Sequence, residues 1–372
     1  MPQRPREGSN FVAEWFGHRI YPVVAATELS VSDQKARRCP FLSEVTSVST
    51  PCIKNQQSRG VCTVSAKSNG FRQDWVVCPF RVFDPALIDS VAARLFAVTD
   101  TSLLRTHAAP TVAEPAVQTS ILNHLESGGR SLVYFRAGIG GEVSLARTQN
   151  SPEMAFDVTF VELLRDGAGI KLGQFAILEL QTMDFHGSYR HAVSQLQKAV
   201  DLFPDSFPAQ LELHPEWAGK GVEGPNIANV VKRTFWQMFF KFSFAADTEG
   251  RCAGTALAIP RAVWDSWQPF LGSPTPVQQV DGTFRLLSPE SGATDTKTRA
   301  WVYVFDIDST VPTTPNPVVI DMVIGATASS FVYHALTEAP RHAADALFAD
   351  TGIYAVLRKR LRTYWPEQVR RQ

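Results

Sequence analysis

Residues 156–164, FDVTFVELL, the link 165–169, RDGAG, and residues 170–181, IKLGQFAILELQ, decide the fold class of this 372-residue chain. Both runs are rich in β-branched and aromatic residues, and glycines separate them, which predicts a strand, a turn and a second strand. Residues 187–202 then place Ala192, Val193, Leu196, Ala199 and Val200 at helical spacing with polar residues between them. Strand, turn, strand, amphipathic helix is an α/β order. Residues two apart on a strand share a face, so Glu179 and Gln181 point together while Ala176, Leu178 and Leu180 point to the other face and can pack beneath a helix. Asp157 on the first strand and Glu179 on the second would then meet at the open side of the hairpin. Such oxygens can hold a hard divalent cation such as magnesium, which would stabilise charge on a phosphodiester and activate a water. Solvated strand carboxylates are the competing reading, and the spacing alone favours it.

Outward from this segment, the signals upstream are shorter. Residues 121–125 fit part of a helix, 132–135 form a short apolar run, and 138–141 are glycine-rich. Downstream, 227–244 reads as a helix dominated by Phe235, Trp236, Phe239, Phe240, Phe242 and Phe244, expected as a central core element. Residues 317–332 are apolar but broken by Asp321, Gly325, Thr327, Ser329 and Ser330, so they predict a buried helix or strand pair. No run reaches the roughly 18 apolar residues of a membrane span. The polar opening MPQRPREGSN has no apolar leader segment, and the expectation is a cytoplasmic protein with no membrane partner.

Lys plus Arg and Asp plus Glu are 36 each, which excludes a globally basic binder, and an apolar fraction of 44% excludes a disordered or collagenous chain. Within 35–81, however, eight basic residues face two acids, so the neutral total hides a basic module. A helical pattern beginning after 83–85 (Leu87, Val91, Leu95, Val98) sets an expected boundary between 1–90 and 91–372. The tail, 357–372, has six basic residues against Glu367 and reads as a solvated helix end, with phosphate contact the lesser alternative.

Four of the five cysteines, Cys39, Cys52, Cys62 and Cys78, fall within 40 residues, and Cys252 stands alone. In a reducing compartment such a cluster reads as a metal site before it reads as two disulfides. Four thiolates suit tetrahedral zinc or iron, and such a site can fold a loop-rich segment with little core of its own. The spacing C-x12-C-x9-C-x15-C lacks the paired C-x2-C knuckles of common zinc modules, but C-P-F recurs at 39–41 and 78–80, as two equivalent ligand turns would. Four unrelated buried cysteines are the alternative, and Cys252 reads as an ordinary core thiol.

Several segments taken together carry a resemblance. EWFG at 14–17, the two C-P-F turns, FDVTF at 156–160, LELQTMDFHGSY at 178–189, GPNIANVVKRTFWQMFFKF at 224–242 and RCAGTALAIP at 251–260 make the chain, from about 10 to about 270, similar to the NotI-type restriction endonucleases. The resemblance implies a PD-(D/E)XK nuclease core, a mixed central sheet flanked by helices, behind a small loop-rich four-cysteine domain holding iron or zinc. It implies a type II enzyme that works as a homodimer, with magnesium, on a GC-rich palindrome in double-stranded DNA. A cognate DNA methyltransferase is expected in the same genome. It also implies that Asp157 and Glu179 are the magnesium ligands. Gln181 stands in the lysine position of the general motif, where it would orient the attacking water or a phosphate, and Phe156 stands in the proline position. Glu142, in Gly140-Gly141-Glu142, matches the family's additional outer acid.

For DNA contact the candidates are Arg37, Arg38, Lys54, Arg59, Lys67 and Arg72 around the cysteines, then Lys232 and Arg233 on the aromatic helix. Arginine reads guanine O6 and N7 as a pair, which suits a GC-rich site. His186 and His191, at the start of a helix, fit structural or phosphate-contact roles better than that of a general base. Trp15, Trp75, Trp264 and Trp267 are expected as core or interface anchors. Two rivals share these features: a repair nuclease on the same core, and a four-cysteine DNA-binding regulator with a dead core, against which the intact Asp157 and Glu179 argue.

Overall fold

The computed structural model describes residues 10–68, 70–167, 169–245, 249–289, 299–349 and 351–365. The strands among them are β1 (Phe11–Trp15), β2 (His18–Arg19), β3 (Val61–Ser68), β4 (Phe71–Val76), β5 (Leu104–Ala108), β6 (Arg130–Phe135), β7 (Val143–Leu145), β8 (Met154–Phe156), β9 (Val158–Asp166), β10 (Gly169–Leu180), β11 (Cys252–Pro260), β12 (Val277–Gln278), β13 (Phe284–Arg285), β14 (Ala300–Ile307) and β15 (Val318–Ala326). Nine of them form one mixed sheet in the order β12-β13-β15-β14-β11-β10-β9-β6-β5, flanked by helices. The chain is therefore mixed α/β around a large central sheet.

The hairpin expected from the sequence is β9–β10, paired antiparallel from Gly169 opposite Asp166 to Leu178 opposite Val158. Ala168, in its turn, lies outside the described residues. The first expected strand is split: β8 ends at Phe156 and β9 begins at Val158, so Asp157 occupies the break. Helix Arg190–Leu202 follows the hairpin, and β11 then lies parallel to β10. β11 is buried along its whole length, which is why it reads as a continuous apolar run.

The alternation along β10 sorts two cores. Ala176, Leu178 and Leu180 face Leu87, Val91 and Leu95 of helix Pro85–Leu95, together with Phe80, Phe160 and Tyr303. That helix starts where expected, with Asp84 accepting the backbone N–H of Ala86 at 2.9 Å. The opposite face, onto which Glu179 and Gln181 project, is covered by helix Ile227–Phe244, with helix Arg261–Trp267 beside it.

Two expectations are corrected here. The N-terminal segment is not loop-rich: it forms an antiparallel sheet in the order β2-β1-β3-β4, with helices Glu28–Ala36 and Pro40–Thr46. β1 is buried on both faces and its pairing with β3 is bulged, which hides the simple two-residue alternation. Helix Ile227–Phe244 has the expected bounds, but it is not an all-round core element. Val230, Val231, Thr234, Met238, Lys241 and Phe242 are buried, whereas Trp236 is 65% exposed and Phe239 40%. The apolar run after 317 is strand β15 followed by helix Ala328–Tyr333. The tail forms helix Ile353–Tyr364, and residues 366–372 of it lie outside the described residues. Among the described residues no helix is long and apolar enough to cross a membrane.

The N-terminal sheet does not stand apart from the central one. Trp15, Phe16 and Trp75 share a core with Leu196, Met238 and Leu257, and Met183 N–H donates to Val76 C=O at 2.8 Å. The cysteine segment is thereby placed against the chain just beyond Gln181.

Candidate active site and cysteine cluster

Asp157 and Glu179 are brought together as the hairpin register requires. Asp157 N–H donates to Glu179 Oε1 at 3.3 Å, and Leu180 N–H donates to Asp157 Oδ2 at 3.0 Å. Each carboxylate is therefore oriented by the backbone beside the other. Glu142 comes from a second pairing: Val143 is opposite Phe156 in the β7–β8 ladder, so Glu142 and Asp157 lie at the same end of it. Glu142 is exposed and Glu179 is 5% exposed, which gives the site a wet rim and a dry floor. Burial pushes the Glu179 carboxyl up to about 7, the neighbouring Asp157 charge adds to this, and Lys241 opposes it.

Gln181 is buried and its amide is engaged at both ends. Its oxygen accepts from the Thr234 hydroxyl, and its nitrogen donates to the Thr182 carbonyl. Thr234 and Lys241 lie seven residues apart on helix Ile227–Phe244, on one buried stripe with Met238 between them. Lys241 Nζ donates to Glu179 Oε2 and stands 5.6 Å from the centre of the Phe156 ring. The helix thus touches Glu179 of β10 through Lys241 and Gln181, just past its end, through Thr234.

Sequence reasoning passed over two cations here. Lys241 had a readable signal, a lysine on the buried stripe of an otherwise apolar helix. Arg136 had little, because it follows an apolar strand into the glycine turn. It is 4% exposed, donates to Pro79 C=O at 3.0 Å, and lies over the rings of Phe80 and Phe83 at 4.1 and 4.8 Å. Burial lowers its pKa, while the charges of Asp157, Cys78 and Glu142 oppose that loss. Its Nε is buried without a hydrogen-bond partner.

The thiols of Cys39, Cys52, Cys62 and Cys78 are close enough to influence one another. Cys62 and Cys78 share a hydrogen bond, and Cys39 and Cys52 both feel the charge of Cys78. Gly60 N–H donates to Cys52 Sγ at 3.4 Å, and backbone amides of Phe41 and Leu42 serve Cys39 while Phe80 serves Cys78. Both C-P-F turns thus direct amides at sulfur. Burial pushes the Cys39 thiol up to about 12; the hydrogen bond from Cys62 pulls Cys78 down. Among the described residues no disulfide joins any of the five cysteines, and Cys252 is buried in β11. Among the described residues, no group of three or more His, Cys, Asp or Glu side chains stands in a geometry that could hold a metal ion.

The basic candidates are dispersed. Arg38 pairs with the buried Asp33, Arg37 with Asp201 at 3.5 Å, and Arg233 with Asp184 at 2.9 Å. Lys54 is tied to Val61 C=O at 2.7 Å, and Arg72 donates to Ser65 C=O at 3.2 Å. Lys67 and Lys232 are exposed. Arg37 and Arg59 line a cleft of about 400 Å³ with Arg190 and Lys198. His186 and His191 are exposed near the start of helix Arg190–Leu202; Arg190 Nε donates to His191 Nε2 at 3.3 Å. Trp15, Trp75, Trp264 and Trp267 are buried in the core.

Compared with models of known protein families and with curated proteins, the chain matches none.

Proposed function

We propose that this chain is a magnesium-dependent, site-specific DNA endonuclease of the PD-(D/E)XK type, cutting both strands of a GC-rich palindrome as a homodimer. The observation that carries this reading is the Asp157–Glu179 pair, in which each carboxylate is held by the other's backbone neighbourhood at one end of a sheet hairpin. Two carboxylates crowded in a mostly buried site are unfavourable unless a cation joins them, and oxygen donors of this kind suit magnesium. When bound, magnesium would supply Lewis-acid stabilisation of the phosphoryl oxygens and an acidified water. The protein's own part is positional. Asp157 and Glu179 present oxygens, Glu142 at the rim can order water, and Gln181, clamped by Thr234, keeps the end of β10 against the helix.

The second metal of the proposal, iron or zinc, would be held by Cys39, Cys52, Cys62 and Cys78, which would have to draw together around it. The donor set supports it: four sulfurs, three of them facing backbone amides. Elemental analysis of the purified protein is expected to find one iron or zinc per chain. Cys78→Ser should lose it, while Cys252→Ser should retain it. A metal-free parent protein with unchanged stability would remove this part.

The test of the activity is digestion of a plasmid of known sequence in magnesium, with sequencing of the ends. Discrete cuts in both strands at one palindrome, leaving 5′-phosphates, are expected. Asp157→Ala or Glu179→Ala should slow cleavage at least about 1000-fold, near 4 kcal/mol in barrier, while calcium-supported DNA binding stays measurable. Full cleavage by Asp157→Ala would sink the reading. Cutting without sequence preference would favour a repair nuclease, and binding without cutting by the parent would favour a regulator. Sedimentation that shows a monomer on cognate duplex would remove the homodimer.

A further inference from the structure

We propose that Lys241, carried by helix Ile227–Phe244, is a catalytic residue that supplies the positive charge Gln181 cannot bring to the scissile phosphate. The inference rests on the nuclease reading above.

Gln181 shares its strand face with Glu179, but it is neutral and its amide is already divided between Thr234 and the Thr182 carbonyl. It cannot offset charge on a phosphorane-like transition state. The same helix brings Lys241, two turns beyond Thr234, onto Glu179. Lys241 is 4% exposed, so its ammonium has left water almost completely. A buried ion pair gives little net stability compared with apolar side chains of the same volume, so stability is a poor reason for a lysine on this stripe. A preorganised cation beside the reacting group in a dry site is, by contrast, among the strongest sources of transition-state stabilisation.

In the resting site Nζ sits on Glu179 Oε2. When DNA enters, the scissile phosphate brings its own negative charge to the carboxylate pair, and the ammonium turns to a non-bridging oxygen. The water oxygen forms the new bond to phosphorus as the P–O3′ bond breaks. One proton leaves the water for solvent, and the 3′ oxygen takes one up from solvent, so atoms and charge balance with no redox partner. Lys241 donates a hydrogen bond throughout and needs to transfer no proton.

The experiment uses the full-length protein, single-turnover cleavage of the duplex identified in the plasmid digest, calcium-supported binding of the same duplex, and thermal melts. Lys241→Gln and Lys241→Met should cleave roughly 100- to 1000-fold more slowly, with binding within about threefold of the parent. Adding Gln181→Lys to Lys241→Gln should recover at least about tenfold of the lost rate, because it returns a cation to the same strand face; a residue with only a structural role gives no such rescue. Cleavage within about threefold of the parent by either variant overturns the proposal. If one variant melts early, the other and the rescue pair decide: no loss in the folded variant, or no rescue, overturns it. If the parent itself fails to cut, the nuclease reading falls and this inference falls with it. A cutting parent with unimpaired Lys241 variants removes only the inference.

Discussion

Two buried acid–base pairs show how the same residue types are put to different use. Glu14 of β1 meets Arg81, just beyond the second C-P-F turn, and Glu179 of β10 meets Lys241. Both are shut away from solvent. Arg81 grips Glu14 with two nitrogens, at 3.0 and 3.1 Å, and gives a third hydrogen bond to Asn316 C=O at 2.6 Å; Thr63 adds its hydroxyl to Glu14. Burial raises the Glu14 pKa, but Arg81 and Thr63 outweigh it, and the carboxyl ends below its ordinary value. At Glu179 burial and the neighbouring Asp157 charge outweigh Lys241, and the carboxyl is pushed up to about 7. The first pair is electrostatically complete. The second is not: burial disfavours the charged form of Glu179 despite Lys241, and a bound divalent cation would relieve that.

The comparison breaks most visibly at Arg81. Arg81→Met would leave Glu14 buried and unpaired, and a loss of about 3–5 kcal/mol is expected in chemical denaturation. A loss under about 1 kcal/mol would mean that the pair is no more complete than its counterpart on β10.

Acid sharpens the same contrast with a smaller effect. Glu14 is depressed in the folded protein, so its stabilisation is present above the unfolded value of 4.5 and is lost as pH falls through the lower folded value. Glu179 is raised, so the folded state binds the extra proton between 4.5 and about 7, and that group favours the folded state more as pH falls through this window. Denaturation midpoints of Glu14→Gln and the parent should therefore converge as pH falls below 4.5. A constant difference across that range would show that Glu14 is not held as an ion.

How much of this was legible follows from where each partner lies along the chain. Asp157, Glu179 and Gln181 belong to one hairpin, whose period-two pattern and glycine turn are local, so their placement could be read from spacing. Helix Ile227–Phe244 was readable in its bounds, but not in which side faces the sheet, because aromatics occupy both its buried and exposed faces. Lys241 was hidden by that ambiguity. The N-terminal sheet was hidden differently: β1 is buried on both faces and bulged against β3, so its sequence carries no alternation. The pairing of Glu14 with Arg81 spans 67 residues and depends on that sheet, and no local pattern announces it.

The smallest effect expected is on stability at Lys241. In metal-free buffer below about pH 7, Glu179 already holds a proton in the folded protein, so Lys241 has little charge to neutralise there. Lys241→Met removes the ammonium and keeps an unbranched stem of similar length near the Phe156 ring, and the buried lysine's own desolvation cost disappears with it. These terms oppose each other, and the net change should stay within about 1 kcal/mol by chemical denaturation at such a pH. Arg81→Met offers no such escape, because Glu14 is held ionised under the same conditions and would lose the guanidinium that hydrogen-bonds it. A Lys241→Met loss as large as the Arg81→Met loss would make both pairs structural and take away the contrast on which a catalytic lysine depends.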